Sequence, residues 1–242
     1  MSWEDPTAFF TLHRDLPREG PGEAADVHWA LDTLGHDGPE RVLDAACGPG
    51  ADLAVLAQAL PEAQITGIEK VAHFVDAARA RVADWAPRVT VRQGDMRDPE
   101  GPFDLIWCTG ALYFLGVSEG LRGWRDALAP GGAVVFSEPV LLDTPPDADV
   151  AAFWEDYPQI TDLDGIVARV NAAGFAVQAH RMLIGAPWEA YYAPMQARID
   201  ALRSQSPDAT LCITLDSHQL EIDRWRAAAD RIAYAQLIVT PQ

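Results

Sequence analysis

The chain has 242 residues, 49% of them hydrophobic, enough for one sizeable core. Its 36 acids against 18 bases give a formal charge of -18, and no cluster of Lys and Arg interrupts the acidic surface, so the phosphate backbone of a nucleic acid would be repelled. The scattered cysteines Cys47, Cys108 and Cys212 fit a reducing cytoplasm better than a disulfide framework, the opening MSWEDPTAFF lacks the make-up of a signal peptide, and no apolar run approaches the ~20 residues that cross a bilayer. These features predict a soluble cytoplasmic protein with no nucleic-acid or membrane partner.

In chain order, the segment TAFFTLHRDLPREGPGE within 1–38 is expected to fold over a cleft as a helical lid. RVLDA (41–45), QITGIE (64–69), RVTVRQ (88–93), FDLIWC (103–108) and AVVFSE (133–138) are short β-rich runs. Between them Asp52 to Leu60, Ala72 to Trp85 and Gly120 to Leu128 are long enough for crossover helices, the last ended by Pro130, Gly131 and Gly132. This alternation predicts a doubly wound, mostly parallel α/β sheet. After Glu138 come a proline-rich connection, VLLDTPPDAD, two helical stretches at 149–157 and 162–173, and a strand at 175–185. Two more helical stretches, 187–204 and 216–230, precede a final strand at 232–240. The expected organisation is one domain over 1–242: the lid at 1–38, a ligand-binding core at 39–140, the second half of the sheet at 141–186, a helical insertion at 187–230 and the last strand at 231–242. Tyr192, Met195, Ile199 and Leu202 sit at helical spacing in the insertion, which is expected to cover a pocket and leaves room for a homodimer contact.

In an open parallel sheet ligands bind beyond the carboxyl ends of the strands, where the strand order reverses. The residues at those ends are Asp44 with the loop ACGPG, Glu69, Asp95 with Met96, the segment Thr109 to Tyr113, and Glu138. Gly48 and Gly50 permit close backbone approach, and the helix starting near Ala51 points its N–H groups into the same space. Glu69, 19 residues beyond Gly50, can accept both hydroxyl hydrogens of a ribose. The ligand is expected to contain a nucleoside.

The series VLDAACGPGADL, GIEK, QGDM, FDLIWCTGALYFL and LAPGGAVVFSE resembles the ordered motifs of class I S-adenosylmethionine-dependent methyltransferases, near the small-molecule, ubiquinone-biosynthesis type. REGPGE (18–23), FWEDYPQI (153–160) and YYAPM (191–195) extend the likeness toward a group of uncharacterised bacterial methyltransferases. The resemblance implies a Rossmann-like, seven-stranded sheet, S-adenosyl-L-methionine as donor and S-adenosyl-L-homocysteine as product. It implies that Asp44 orients the donor's amino acid end, that Gly48 and Gly50 line it, that Glu69, followed by Lys70, holds the ribose, and that Asp95 with the Met96 backbone addresses the adenine. Cys108, Thr109 and Gly110 would close over the methionine part, and Arg18 and Gly22 resemble family residues near the donor. Ala46 stands where the family usually has glycine.

A sulfonium is already an activated electrophile, so direct in-line transfer is expected to need alignment and exclusion of water rather than a metal. The histidines His13, His28, His36, His73, His180 and His218 show no ligand spacing. Tyr113, Glu138 and His13 are the candidate catalytic residues: Tyr113 to orient or deprotonate an acceptor, Glu138 as base, His13 from the lid. Each also reads as structural: Tyr113 as packing, Glu138 as an acid paired with arginine, His13 as a surface residue. Trp154, Tyr157, Trp188, Tyr191 and Tyr192 suit a pocket for a flat or apolar acceptor. The function read here is methyl transfer to a small molecule, with a catalytically inactive S-adenosylmethionine-binding regulator and a nicotinamide-dependent oxidoreductase as alternatives.

Overall fold

The computed structural model describes residues 6–35 and 38–242; residues 1–5 of the opening segment, and His36, lie outside the described residues. Two helices, α1 (Pro6–His13) and α2 (Ala24–Leu34), lead into the alternating series β1 (Arg41–Ala45), α3 (Ala51–Ala59), β2 (Gln64–Glu69), α4 (Ala72–Arg81), β3 (Val89–Gln93), β4 (Phe103–Cys108), α5 (Val117–Trp124) and β5 (Leu128–Leu141). There follow α6 (Ala148–Phe153), β6 (Thr161–Asp162), α7 (Leu163–Ala172), β7 (Phe175–Leu183), α8 (Ala186–Arg203), α9 (Ala209–Ala227) and β8 (Ile232–Pro241). The sheet runs β3-β2-β1-β4-β5-β8-β7, parallel except for β8, which lies antiparallel between β5 and β7. The order reverses between β1 and β4, which places the switch point at the loops after those two strands.

Several bounds differ from the sequence reading, among them the start of α9 at Ala209 rather than 216 and the end of α4 at Arg81 rather than Trp85, and two differences concern the sheet. Pro130, Gly131 and Gly132 do not form a loop ahead of a strand; they lie inside β5, where the register against β4 shifts between Phe103 and Leu105. Proline has no N–H to give to a ladder, and a register shift is where a strand tolerates it. The short β6 adds an eighth strand, pairing with Val140 and Leu141 at the end of β5.

Successive residues of a strand face opposite sides, and the core divides accordingly. Val42, Ile65 and Leu105 pack beneath α2, α3 and α4 with Val27, Leu53, Leu56 and Val75. Leu43, Ile106, Val134 and Phe136 pack beneath α5 and α7 with Leu121, Trp124, Ile166 and Val170. Each such fully buried side chain contributes roughly 1.5–3 kcal/mol of transfer free energy. A third cluster joins Leu12 of α1, Tyr192, Met195, Ile199 and Leu202 of α8, and Leu215, Ile222 and Trp225 of α9 to Leu141 and Leu183 at the carboxyl ends of β5 and β7. The helical insertion therefore covers the sheet at the strand ends, and its apolar face buries against α1 and the strands it caps.

Candidate functional site

Beyond Ala45 the chain turns sharply through Ala46 to Gly50. Gly50 has φ +82°, and a Cβ there would stand 3.1 Å from Cα and Cβ of Ala78 on α4. Ala46 also sits in the left-handed region, at φ +63°, where an L side chain costs roughly 1–2 kcal/mol. That conformation is the reason glycine suits this position. The loop is pinned across the sheet, because Cys47 N–H donates to the Ile68 carbonyl (3.0 Å) and Gly50 N–H to the Cys47 carbonyl (2.9 Å).

Three acids stand around this loop in different states. Asp44 is buried, with Oδ2 unpartnered among the described residues, and burial with the nearby charges of Asp52 and Glu69 pushes its carboxyl well above the usual range. Glu69 is buried but served: Oε2 accepts from Gly48 N–H (3.0 Å) and Oε1 from Val71 N–H (2.8 Å). Each of its oxygens keeps a further acceptor position. Asp95 lies nearer solvent, where the Arg97 N–H, with Lys70 (3.3 Å) and the Arg97 guanidinium (3.0 Å), holds its carboxyl below the usual range. The Met96 carbonyl is taken inward by the Trp124 indole N–H at 2.7 Å.

The segment between α1 and α2 crosses these loops as a strap. Arg18 donates to the Gly20 carbonyl (2.6 Å) and to Asp52 Oδ1 (3.0 Å) in the first turn of α3. Gly22 backs the Arg18 guanidinium, with which a Cβ would collide, and its N–H donates to the Pro187 carbonyl at the start of α8. The other oxygen of Asp52 accepts from the Trp107 indole (3.0 Å) and the Thr109 hydroxyl (2.6 Å), while Gly110 N–H donates to Ser137 Oγ (2.8 Å). Cys108 itself is wholly buried in the core, and burial pushes its thiol well up. The strand-end segment 108–110 is thus held rigid by Asp52 and Ser137, neither of which stands out in the sequence.

The fold is similar to solved S-adenosylmethionine-dependent methyltransferases from Geobacter sulfurreducens (TM-score 0.85, 21% identity, 98% of this chain and 99% of that one) and Thiobacillus denitrificans (TM-score 0.84, 20% identity, 98% and 99%), both in complex with S-adenosyl-L-homocysteine. Residues 42–132 match the methyltransferase domain family. The chain is similar to trans-aconitate 2-methyltransferases, at 34% identity over 151 residues for that of Streptomyces avermitilis and 30% over 173 residues for that of Mycobacterium tuberculosis. The family match marks residues 42–132 as a methyltransferase domain. The match covers 60% of the chain and 53% of the Streptomyces relative, so the chain spans about half the length of that protein. With the second, the figures are 69% and 60%.

The three candidate catalytic residues stand in unlike surroundings. Glu138, on β5, is fully buried; Oε1 accepts from the Tyr157 hydroxyl (2.7 Å), Arg169 lies 3.8 Å away, and Oε2 has no partner among the described residues. Burial outweighs these partners and pushes its carboxyl up to about 7. Tyr113 is half-buried in the turn after β4, edge-on to Tyr157 (5.8 Å between centroids), and burial with the charges of Glu221 and Glu138 raises its hydroxyl. A groove of about 430 Å³ opens there, lined by Tyr113, Phe114, Tyr157, Gln159 and Arg169 among others. His13 is buried, contrary to a surface reading, stacked on Phe9 and bonded to Glu19 (2.6 Å) and His218 (3.0 Å).

The aromatic residues outside the alternating core divide. Trp188 and Tyr192 are core: the Trp188 indole donates to the Leu183 carbonyl (3.0 Å) and the Tyr192 hydroxyl to Glu221 (2.7 Å). Trp154, Tyr157 and Tyr191 remain partly accessible. Glu19, His218 and Glu221 are the charged or titratable groups that sequence patterns missed, because only the packing of α9 against α1 brings positions about 200 residues apart into one cluster. Among the described residues no group of three or more His, Cys, Asp or Glu is arranged to hold a metal ion, and no helix is long and apolar enough to cross a membrane.

Proposed function

We propose that the chain binds S-adenosylmethionine across the carboxyl ends of β1, β2 and β3 and transfers its methyl group in line to a small-molecule acceptor without a metal. The observation that carries the reading is Asp44, a buried carboxylate with an unpartnered oxygen beside a glycine loop. Such a group is costly unless a cation meets it, and an α-ammonium is one. The residues fit the donor elsewhere as well. Glu69, already oriented by two backbone N–H groups, has acceptor positions left for two ribose hydroxyls. Gly48, Gly50 and the first turn of α3 leave room for close approach, Asp95 and the Met96 backbone suit the adenine, and Arg18, Gly22, Ala46, Lys70, Cys108, Thr109 and Gly110 frame the rest.

When bound, the donor supplies a methyl group on a sulfonium that departs as a neutral thioether. The chain's own work is then to hold an acceptor in line and exclude water, which the cover formed by α1, α8 and α9 favours. Tyr113 and Glu138 wall the acceptor side. The wall is phenolic and acidic, and its cations are engaged: Arg18 with Asp52, and Arg169 with Glu138 and the Gln159 carbonyl. An uncharged or cationic acceptor suits such a wall better than a tricarboxylate such as the trans-aconitate of the relatives.

Calorimetry with S-adenosylhomocysteine and with NAD, followed by transfer of labelled methyl from the donor to a library of amines, phenols, thiols and carboxylates, tests the proposal. Binding of S-adenosylhomocysteine but not NAD, with a product among the amines, phenols or thiols, is expected. Binding with no transfer to any member would favour an inactive binder, NAD binding alone an oxidoreductase, and methylated carboxylates would overturn the acceptor class.

A further inference from the structure

Glu19, His13 and His218 form a chain of hydrogen bonds whose proton order is determined by its outer end. His218 Nδ1 lies 2.9 Å from the Thr214 carbonyl, which can only accept, so Nδ1 carries the proton. In a neutral ring His218 Nε2 is then a lone pair, and His13 Nε2, 3.0 Å away, must donate to it. His13 Nδ1 is left as an acceptor, and Glu19 Oε2, 2.6 Å away, must carry a proton itself. The burial of the cluster agrees: desolvation pushes Glu19 up to about 9, with the Glu69 charge adding to it, and lowers His13 to about 4. His218 is lowered too, by burial and by His13. Facing the cluster are Glu221 from its own helix, His73 from α4 and Glu69 from the end of β2, with Phe9 stacked on the His13 ring.

The inner end of this chain lies against the glycine loop after β1. Glu19 belongs to the strap: a Cβ at Gly48 would meet its Cγ at 3.6 Å, and one at the next strap residue, Gly20, would meet Cα of Gly110 at 3.7 Å. Glu19 Oε1 is buried without a partner among the described residues, and the Tyr191 hydroxyl is near enough to feel this carboxyl whenever it ionises. The outer end, His218, is only half-buried.

We propose that Glu19, His13 and His218 are a proton relay that takes the acceptor's proton at Glu19 Oε1 and holds its charge as a His218 imidazolium until the product has left. The relay rests on the proposed methyl transfer, in which an acceptor X–H forms a bond to the methyl carbon, the carbon–sulfur electron pair returns to sulfur, and the proton on X has to leave a site that excludes water. Glu19 Oε1 takes that proton as Oε2 passes its own to His13 Nδ1. His13 Nε2 passes its proton to His218 Nε2, which leaves His218 an imidazolium facing Glu221. Once the product has left and water enters, Glu19 Oε1 gives up its proton and the two shared protons shift back, which restores the starting order. Glu19 is the catalytic residue of the set; His13 and His218 act through it.

Two measurements test this. Nitrogen-15 spectra of the histidine-labelled protein at neutral pH are expected to show His13 protonated on Nε2 alone and His218 on Nδ1 alone; a proton on His13 Nδ1 would overturn the relay whether or not an acceptor is known. Second, Glu19→Gln can still donate to His13 Nδ1 but cannot pass a proton. With the best acceptor from the library it is expected to lower kcat about 100-fold or more while KM, S-adenosylhomocysteine affinity and the tautomers persist. Near-parent kcat in Glu19→Gln would show a merely structural carboxyl and overturn the proposal. Failure to bind S-adenosylhomocysteine would instead remove the proposed function and leave the tautomer result to be judged by itself.

Discussion

Arg18 and Asp52 form an ion pair at 3.0 Å in which both side chains are only 13% exposed, and it fastens the strap over the switch point to the first turn of α3. The same carboxylate accepts from Trp107 and Thr109, so one side chain joins the strap, α3 and the segment after β4. Replacing Asp52 by Ala strands a half-buried guanidinium and leaves the Thr109 hydroxyl without its acceptor, while the Trp107 indole keeps Thr109 Oγ1 at 3.2 Å. A loss of about 3 kcal/mol is expected in urea unfolding, with donor affinity falling as the strap loosens. A variant as stable as the parent would show that water serves these donors equally well.

Glu69 is held by backbone N–H groups from Gly48 and Val71, an arrangement that prepares it to accept further hydrogen bonds. Glu69→Ala is expected to weaken S-adenosylhomocysteine binding by about 1.5–3 kcal/mol, or roughly 10- to 150-fold in Kd by calorimetry. Unchanged affinity would remove Glu69 from the donor site.

Ala46 at φ +63° offers a substitution that should improve the protein. Glycine removes the left-handed strain and gives back part of the gain as unfolded-chain entropy, so Ala46→Gly is expected to raise stability by roughly 0.5–1 kcal/mol. Thermal melting reads this directly, and a lower Tm would show that the loop gains more from the methyl group than it loses to strain.

Glu138 makes stability depend on pH in a definite direction. Its folded carboxyl is raised from 4.5 to about 7, so the stability it contributes is full below the unfolded value and is lost as pH rises through about 7. Glu138→Gln removes this dependence. Comparing urea unfolding at pH 5 and pH 8, the variant should gain roughly 2 kcal/mol on the parent over that interval. If Glu138 is also the base, kcat should fall while donor affinity survives. A constant difference between the two proteins across pH would mean that the carboxyl is not raised.

The alternation of short β-rich runs with helical runs determines this fold from the chain alone, because period two and period 3.6 are properties of local backbone geometry. Asp44, Glu69 and Asp95 could be placed at one end of the sheet for the same reason: each sits at or just past the carboxyl end of a strand, and parallel strands all end on one side. Pro130 to Gly132 could not be read, since a stop signal and a shifted strand start contain the same residues, and only the β4 register decides between them. The covering helices α8 and α9 were visible as amphipathic runs, yet the surface they meet depends on where α1 lies. His13 read as a surface residue until α9 brought His218 against it, and Glu19 read as one acid among 36. Desolvation decides the chemistry of those groups, and desolvation is a property of packing: a carboxyl's neighbours in space, unlike its neighbours in sequence, exist only once the chain has folded.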